Sequence, residues 1–140
     1  MKKLIALVTV SLSLTFFGKA QESVVPTNDP NAPAITFDSD VVDYGTIAVE
    51  ADGIREFKFK NTGKSPLTIT NVQGECGCTA TTIDGKPGWP QEPILPGKSG
   101  SIKVKYDTKR IGRFEKNITV TSNANYPIVK LKIKGEVKAK

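Results

Sequence analysis

The 140-residue chain contains no histidine, only two cysteines and a single tryptophan. The absence of histidine removes the commonest general base, every serine or cysteine nucleophile that needs a paired imidazole, and every zinc site built with imidazole. Glycine (12) and proline (9) are too few for a collagen-like chain, and acids and bases are mixed. We therefore expect one folded domain that is not an enzyme and holds no cofactor.

The first twenty residues have the organisation of a signal peptide. Lys2 and Lys3 give a positive start, residues 4–17 form an apolar run, and Gly18-Lys19-Ala20 supplies small residues for a peptidase. The run is shorter than the roughly 18 residues of a spanning helix, which disfavours an uncleaved anchor. We expect cleavage near Ala20, no membrane span in the mature chain, and a location in the periplasm or outside the cell.

The mature chain has the period of β-strands. Residues 21–34 contain three prolines and no amphipathic pattern, and are expected to be a flexible leader. From residue 35 to 138, apolar and polar residues alternate in short runs separated by turn residues, which predicts about seven strands. The alternating apolar residues include Phe57, Phe59, Ile102, Val104, Tyr106, Ile118, Val120, Leu131 and Ile133. We predict an all-β, immunoglobulin-like sandwich of two antiparallel sheets, with a small barrel as the alternative.

Seven lysines on the predicted strands raise the question of a polyanionic partner. They are residues 58, 60, 103, 105, 130, 132 and 134. In an immunoglobulin-like strand order the first four belong to one sheet and the last three to the other, so the charge is divided between opposite faces. Arginine and exposed aromatic residues, which read phosphates and bases, are scarce, and we expect no nucleic-acid partner.

Several segments carry a family resemblance: FKFKNTGKSPLTI, GECGCT, WPQEPILPGKSGSIKVKYDT, GRFEKNITVTSN and KLKIKGEV. Together they resemble the secreted bacterial domains of unknown function numbered fifteen seventy-three, which are related to Hydin-like immunoglobulin folds. The resemblance spans about residues 35–137. It implies a seven-stranded sandwich in an exported protein and implies no enzymatic activity. Residues 81–88 look like an extra stretch compared with the family pattern.

The chemically unusual motif is Cys76-Gly77-Cys78. In an extended strand the two Cα atoms would be roughly 6.5 Å apart with both thiols on one face, so a disulfide requires the chain to pucker at Gly77. Three hypotheses remain: a structural disulfide or two buried thiols, a pair that exchanges disulfides with partner proteins, and a Cu(I) site formed by Cys76 and Cys78. Zinc is disfavoured because two sulfurs and Glu75 do not supply four ligands. Glu75 would raise a thiol pKa, which favours the non-catalytic interpretation.

Trp89 and Pro90 lie in a predicted loop, where the indole either covers the end of the sandwich or faces a partner. Two functions remain at this stage. The first is an interaction or structural module that binds an unknown cell-envelope protein. The second is a periplasmic thiol or Cu(I)-handling protein centred on the cysteine pair.

Overall fold

The computed structural model describes residues 26–140. The predicted signal peptide, its cleavage site and residues 21–25 of the predicted leader lie outside the described residues. The ten strands are β1 (Ile35–Phe37), β2 (Val41–Ala48), β3 (Ile54–Asn61), β4 (Ile69–Gly74), β5 (Thr79–Ala80), β6 (Thr82–Ile83), β7 (Lys86–Pro87), β8 (Ser99–Tyr106), β9 (Gly112–Ser122) and β10 (Ile128–Lys138). Seven have three residues or more, in agreement with the predicted number of strands. No helix in this part of the chain could cross a membrane.

Two four-stranded sheets pack around one core. The first sheet has the order β1-β3-β8-β5, the second has the order β2-β10-β9-β4, and β6 pairs only with β7. Buried residues from both sheets form a single hydrophobic cluster. The prediction of an immunoglobulin-like sandwich is confirmed, and the barrel alternative is not realised because each sheet retains two edges.

One pair of strands departs from the antiparallel prediction. β2 runs parallel to β10, with Val41 opposite Lys132 and Ala48 opposite Lys138. The chain leaves the first sheet after Phe37 and enters the second within a few residues, beside a strand that runs in the same direction. The sequence of β2, VVDYGTIA, does not alternate cleanly, so its periodicity does not predict a strand.

The last two strands, β9 and β10, pair without interruption and show the predicted alternation of buried and exposed residues. β9 and β10 pair from Gly112–Val137 to Thr121–Ile128. Ile118 and Leu131, opposite each other, are buried, whereas Lys130 and Lys134 are exposed. Burying each such aliphatic side chain stabilises the fold by about 1.5–3 kcal/mol. The apolar core therefore holds the two sheets together.

The lysines are distributed as the sequence predicted. Lys58 and Lys60 on β3 and Lys103 and Lys105 on β8 belong to the first sheet, because β3 and β8 are neighbours. The lysines of β10 belong to the second sheet. The positive charge is thus divided between the two outer faces.

Part of the predicted flexible leader packs on the domain. Pro33 is buried, its carbonyl accepts a hydrogen bond from the N–H of Asn125 (3.0 Å), and the carbonyl of Ala34 accepts one from Thr62 (2.9 Å). The Oδ1 of the buried Asn61 accepts a hydrogen bond from the N–H of Ala34 (3.4 Å), and its Nδ2 donates to the carbonyls of Ser65 and Ile94, each at 2.8 Å. Residues 32–34 are therefore part of the folded body.

The extra stretch at residues 81–88 forms the β6–β7 hairpin. Asp84 and Gly85 at its tip both have positive φ (52° and 76°), as a two-residue hairpin turn of this kind requires. At its base, Gly88 donates to the carbonyl of Thr81 (2.8 Å) and accepts from the N–H of Lys103 (2.7 Å). The chain thus leaves the first sheet after Ala80 and returns to the same edge at Gly88.

Candidate functional site

The Cys76-Gly77-Cys78 segment is the crossover between the two sheets. β4 ends at Gly74 in the second sheet, and β5 begins at Thr79 in the first. The carbonyl of Cys76 accepts a hydrogen bond from the N–H of Thr79 (3.2 Å), so the cysteines belong to a tight turn. The carbonyl of Cys78 accepts from the N–H of Asp107 (2.8 Å), which ties the turn to the end of β8.

The two sulfurs lie at bonding distance as a disulfide, with the Cα atoms 5.3 Å apart. The turn makes this Cα–Cα distance shorter than the roughly 6.5 Å of an extended strand, as a disulfide between these residues requires. Gly77 does not have positive φ, and nothing lies within 4 Å of the position that a Cβ would occupy. The turn therefore does not depend on the special conformational freedom of glycine, contrary to the sequence argument.

The two cysteines have different environments. Cys78 is 2% exposed and belongs to the core cluster, whereas Cys76 is half-buried at its margin. The N–H of Cys78 donates to the Sγ of Cys76 (3.3 Å), and the hydroxyl of Thr79 lies 3.8 Å from the Sγ of Cys78. Closing so short a loop restrains the unfolded chain by only about 1.6 kcal/mol. In the disulfide neither sulfur is a thiolate, the form that binds Cu(I), so the copper hypothesis stays a prediction.

Glu75 is engaged by β9 and does not stand alone beside the sulfurs. Its carboxylate accepts a hydrogen bond from the Nδ2 of Asn117 (3.1 Å) and lies 4.0 Å from the Nζ of Lys116. Its backbone N–H donates to the carbonyl of Asn117 (3.1 Å). The nearby ammonium group offsets the carboxylate charge that the sequence argument expected to raise the thiol pKa.

Directly beyond this contact, β9 has an open edge. β10 pairs with β9 from Gly112 to Thr121, but pairing with β4 stops where Gly74 lies opposite Ile118. The N–H of Ser122 bonds to the β10 side (2.9 Å to Pro127), and the carbonyl of Asn117 bonds to the β4 side. The backbone N–H and C=O groups of successive residues point to opposite sides of an antiparallel strand. The backbone groups of the odd-numbered residues of β9 therefore point toward the β4 side.

Arg113 and Glu115 consequently direct their backbone N–H and C=O groups toward open solvent. Within residues 26–140 these four groups have no hydrogen-bond partner. Both side chains are exposed, and the Nζ of Lys132 lies 2.7 Å from the carboxylate of Glu115. A hydrogen bond from Lys132 holds the pKa of Glu115 below its usual value. No pattern in the local sequence predicts that this edge of β9 is open.

The edge at β2, on the opposite side of the second sheet, is capped at two points. The carbonyl of Asp40 accepts from Lys132 of β10 (2.8 Å), so the backbone groups of Val41 face outward. The hydroxyl of Ser39 donates to the carbonyl of Val41 (2.7 Å) and accepts from its N–H (3.2 Å). The N–H of Gly45, which has positive φ (64°), donates to the Asp43 carboxylate (2.8 Å). Such devices prevent a strand edge from pairing with another chain.

An aromatic cluster supports the open edge from inside. The Phe114 ring stacks on Tyr106 with centroids 3.8 Å apart and meets Tyr44 edge-on at 5.2 Å. The Arg55 guanidinium lies 4.4 Å above the Tyr44 ring. All three rings are buried. The strand that carries Arg113 and Glu115 is therefore anchored to the core through Phe114, although part of one of its edges is free.

Trp89 and Pro90 are not brought together with the cysteines. Both are half-buried, and Trp89 packs against the core cluster. They lie beside the hairpin and Lys103 of β8, whereas the cysteine turn contacts the far end of β8 at Asp107. A covering role for the indole agrees with this packing, and a partner-facing role stays a prediction.

The model of the family described as "Protein of unknown function (DUF1573)" matches residues 35–137 of the chain, which is nearly the whole of the sandwich. The chain belongs to the DUF1573 family. No curated protein matches this DUF1573 chain.

Solved structures share the fold of this DUF1573 domain at low sequence identity. A protein of unknown function from Porphyromonas gingivalis W83 matches with a TM-score of 0.65 and 17% identity, over 79% of this chain and 50% of that one. A PapD-like domain of human CEP192 matches with a TM-score of 0.61 and 8% identity, over 95% and 99%. The secreted serine protease VesC from Vibrio cholerae matches with a TM-score of 0.55 and 13% identity, over 74% and 23%. The chain thus spans half of the first protein and about a quarter of the protease, and these likenesses show the fold alone.

Proposed function

We propose that this DUF1573 chain is an exported, non-enzymatic module that binds an extended segment of another cell-envelope protein along the open edge of β9. The observation that carries the proposal is the stretch of β9 beyond the end of β4, where the outward backbone groups of Arg113 and Glu115 have no partner within residues 26–140. At the β2 edge, by comparison, Ser39 covers the backbone groups of Val41, and the Asp43 carboxylate binds the N–H of Gly45. An open, well-supported strand edge is the template for recognition by strand addition.

The open edge suits a short extended segment. A strand added next to β9 can form hydrogen bonds with the N–H and C=O groups of Arg113 and Glu115, and each such bond contributes about 1 kcal/mol net. The exposed Arg113 side chain is positive, whereas the Glu115 carboxylate is already paired with Lys132. Arg113 therefore favours a partner strand with an acidic residue opposite it.

The absence of histidine from the sequence supports a non-enzymatic role, because common acid–base and nucleophilic mechanisms depend on imidazole. The signal-peptide pattern of residues 1–20 supports export. We expect the mature protein in the periplasmic or extracellular fraction, beginning at Gln21. Intact mass of the protein from each cell fraction measures this, and an uncleaved chain in the cytosol would contradict export.

Strand addition is tested by comparing two substitutions at one position. Arg113→Pro removes the outward N–H and the side chain, whereas Arg113→Ala removes the side chain only. The fold does not use this N–H, and proline is tolerated at such edge positions, so both variants should keep the native circular dichroism spectrum. In pulldowns from envelope extract, the Ala variant should retain the proteins bound by the native chain and the Pro variant should lose them.

Replacing Cys76 and Cys78 by serine is the second arm of this experiment. A strand-binding module keeps its partners in that variant, because the backbone of β9 is untouched. If the folded Pro variant binds the same partners as the native chain, the edge is not the binding site. If the double-serine variant alone loses them, the cysteine pair is the binding element.

A further inference from the structure

We propose that the Cys76–Cys78 disulfide is a thiol–disulfide exchange site in which Cys76 is the sulfur that forms the mixed disulfide. The substrate class is a protein dithiol or its disulfide. This inference does not rest on strand binding at β9. Its evidence is the unequal environment of the two sulfurs at the crossover between the sheets.

The burial of the two cysteines gives the reaction a direction. Cys78 belongs to the hydrophobic core and is 2% exposed, so an incoming thiolate does not reach it in the folded protein. Cys76 is half-buried at the surface of the turn. Gly77 is exposed and leaves the space beside the turn free, because nothing lies within 4 Å of where its Cβ would be. Access is one of the factors that selects which sulfur is attacked.

Polar groups around the two sulfurs support the same direction. The N–H of Cys78 donates to the Sγ of Cys76 (3.3 Å), and a hydrogen bond of this kind stabilises a thiolate on Cys76. The hydroxyl of Thr79, 3.8 Å from the Sγ of Cys78, can donate to a thiolate formed there. The Glu75 carboxylate is held by Asn117 and lies 4.0 Å from the ammonium group of Lys116, which reduces its repulsion of a negative sulfur.

A tight disulfide of this kind adds little as a cross-link. Only one residue separates the cysteines, so closing the loop restrains the unfolded chain very little. The core residues of both sheets already hold the crossover strands in place. The pair is therefore better explained by its chemistry than by its contribution to stability.

The reaction balances as a two-electron exchange. A thiolate of the partner dithiol attacks the Sγ of Cys76, the Cys76–Cys78 bond breaks, and its electron pair passes to the Sγ of Cys78, which takes a proton from water. The second partner thiolate then attacks the partner sulfur of the mixed disulfide and releases Cys76 as a thiolate. The partner gains a disulfide and the cysteine pair is reduced. The reverse sequence reduces a partner disulfide and passes through the same mixed disulfide on Cys76.

The test uses single-cysteine variants of the mature protein. Cys78→Ala leaves the thiol of Cys76, and Cys76→Ala leaves the thiol of Cys78. Each variant is treated with oxidised glutathione in native buffer, and the mixed disulfide is followed by intact mass. We expect the thiol of Cys76 to react at least about ten-fold faster, because it is accessible and hydrogen-bonded as a thiolate. In guanidinium chloride the two rates should converge, which shows that the difference comes from the fold.

A second measurement on the native protein addresses the disulfide itself. Dithiothreitol in native buffer should reduce the pair fully, with the protein still folded by circular dichroism. Equal native rates for the two variants, or faster reaction of Cys78, would overturn the assignment. So would a native disulfide that dithiothreitol reduces only after unfolding. Neither result bears on partner binding by the Arg113 variants, so the two proposals fail independently.

Discussion

Because the Tyr44 side chain is buried, we predict that the free energy of unfolding falls at alkaline pH. The Tyr44 ring is 6% exposed, and its hydroxyl donates to the carbonyl of Gly53 (2.7 Å). Burial disfavours the charged phenolate and raises the pKa of Tyr44 from 10.0 to about 12, although the nearby Arg55 acts in the opposite direction. The folded state therefore retains this proton over a range in which the unfolded state releases it.

The sign and size of the effect follow from linkage. Below the unfolded pKa of 10.0 both states are protonated, so the contribution of Tyr44 is fully present. As the pH rises toward the folded pKa of about 12, the unfolded state ionises first and the free energy of unfolding falls. Each pKa unit corresponds to about 1.4 kcal/mol, so the two units amount to roughly 2.7 kcal/mol. About 2 kcal/mol of this is lost by about pH 11.5.

Urea unfolding at about pH 9 and about pH 11.5 measures this loss, and Tyr44→Phe is the matched control. The Phe variant loses the hydrogen bond to Gly53 and starts about 1 kcal/mol less stable, but it should lose about 2 kcal/mol less between the two pH values. A smaller alkaline loss remains in it, because burial also raises the pKa of Tyr106. Equal losses in the native and Phe proteins would refute the account of Tyr44.

Three further predictions concern stability and are checked by urea or thermal unfolding. Gly77→Ala should change the free energy of unfolding by less than about 1 kcal/mol because its surroundings are empty, whereas Gly53→Ala should be strongly destabilising because its Cβ would overlap the carbonyl of Tyr106. Asn61→Ala should cost about 3 kcal/mol, from three hydrogen bonds of 3.0 Å or less at a fully buried site. Replacing Cys76 and Cys78 by alanine should cost no more than about 2 kcal/mol, since the loop is short. A much larger loss would assign the disulfide a structural role.

The fold was predictable where the apolar pattern is local. The alternation of Ile118 with Val120, and of Leu131 with Ile133, defines strands whose inner faces are buried as expected. The immunoglobulin-like strand order expected for such a sandwich placed the lysines on two separate sheets. β2 was not predictable in this way, because a bulge near Gly45 breaks the period of two after Val42 and Tyr44, and the strand pairs with a distant, parallel neighbour.

The candidate site was only half predictable. The Cys76-Gly77-Cys78 motif stands out in the sequence, but its place at the crossover depends on β4 and β5 joining different sheets. The open edge at Arg113 and Glu115 depends on where β4 stops relative to β9, which is a matter of register between segments far apart in sequence. No local pattern in the segment GRFEKN predicts that β9 extends beyond the end of β4. The reduced influence of Glu75 likewise depends on Lys116, 41 residues away along the chain (116 − 75).

Photo-crosslinking from β9 tests the central claim most directly. A photoreactive residue replaces Glu115, whose backbone edge is open, or Thr119, which lies on the same outer face but pairs with Gln73 of β4. Our account predicts crosslinks to an envelope protein from position 115, few from position 119, and loss of the crosslinks when Arg113→Pro is added. Equal yields from the two positions, or crosslinks that persist in the proline background, would contradict binding at this strand edge.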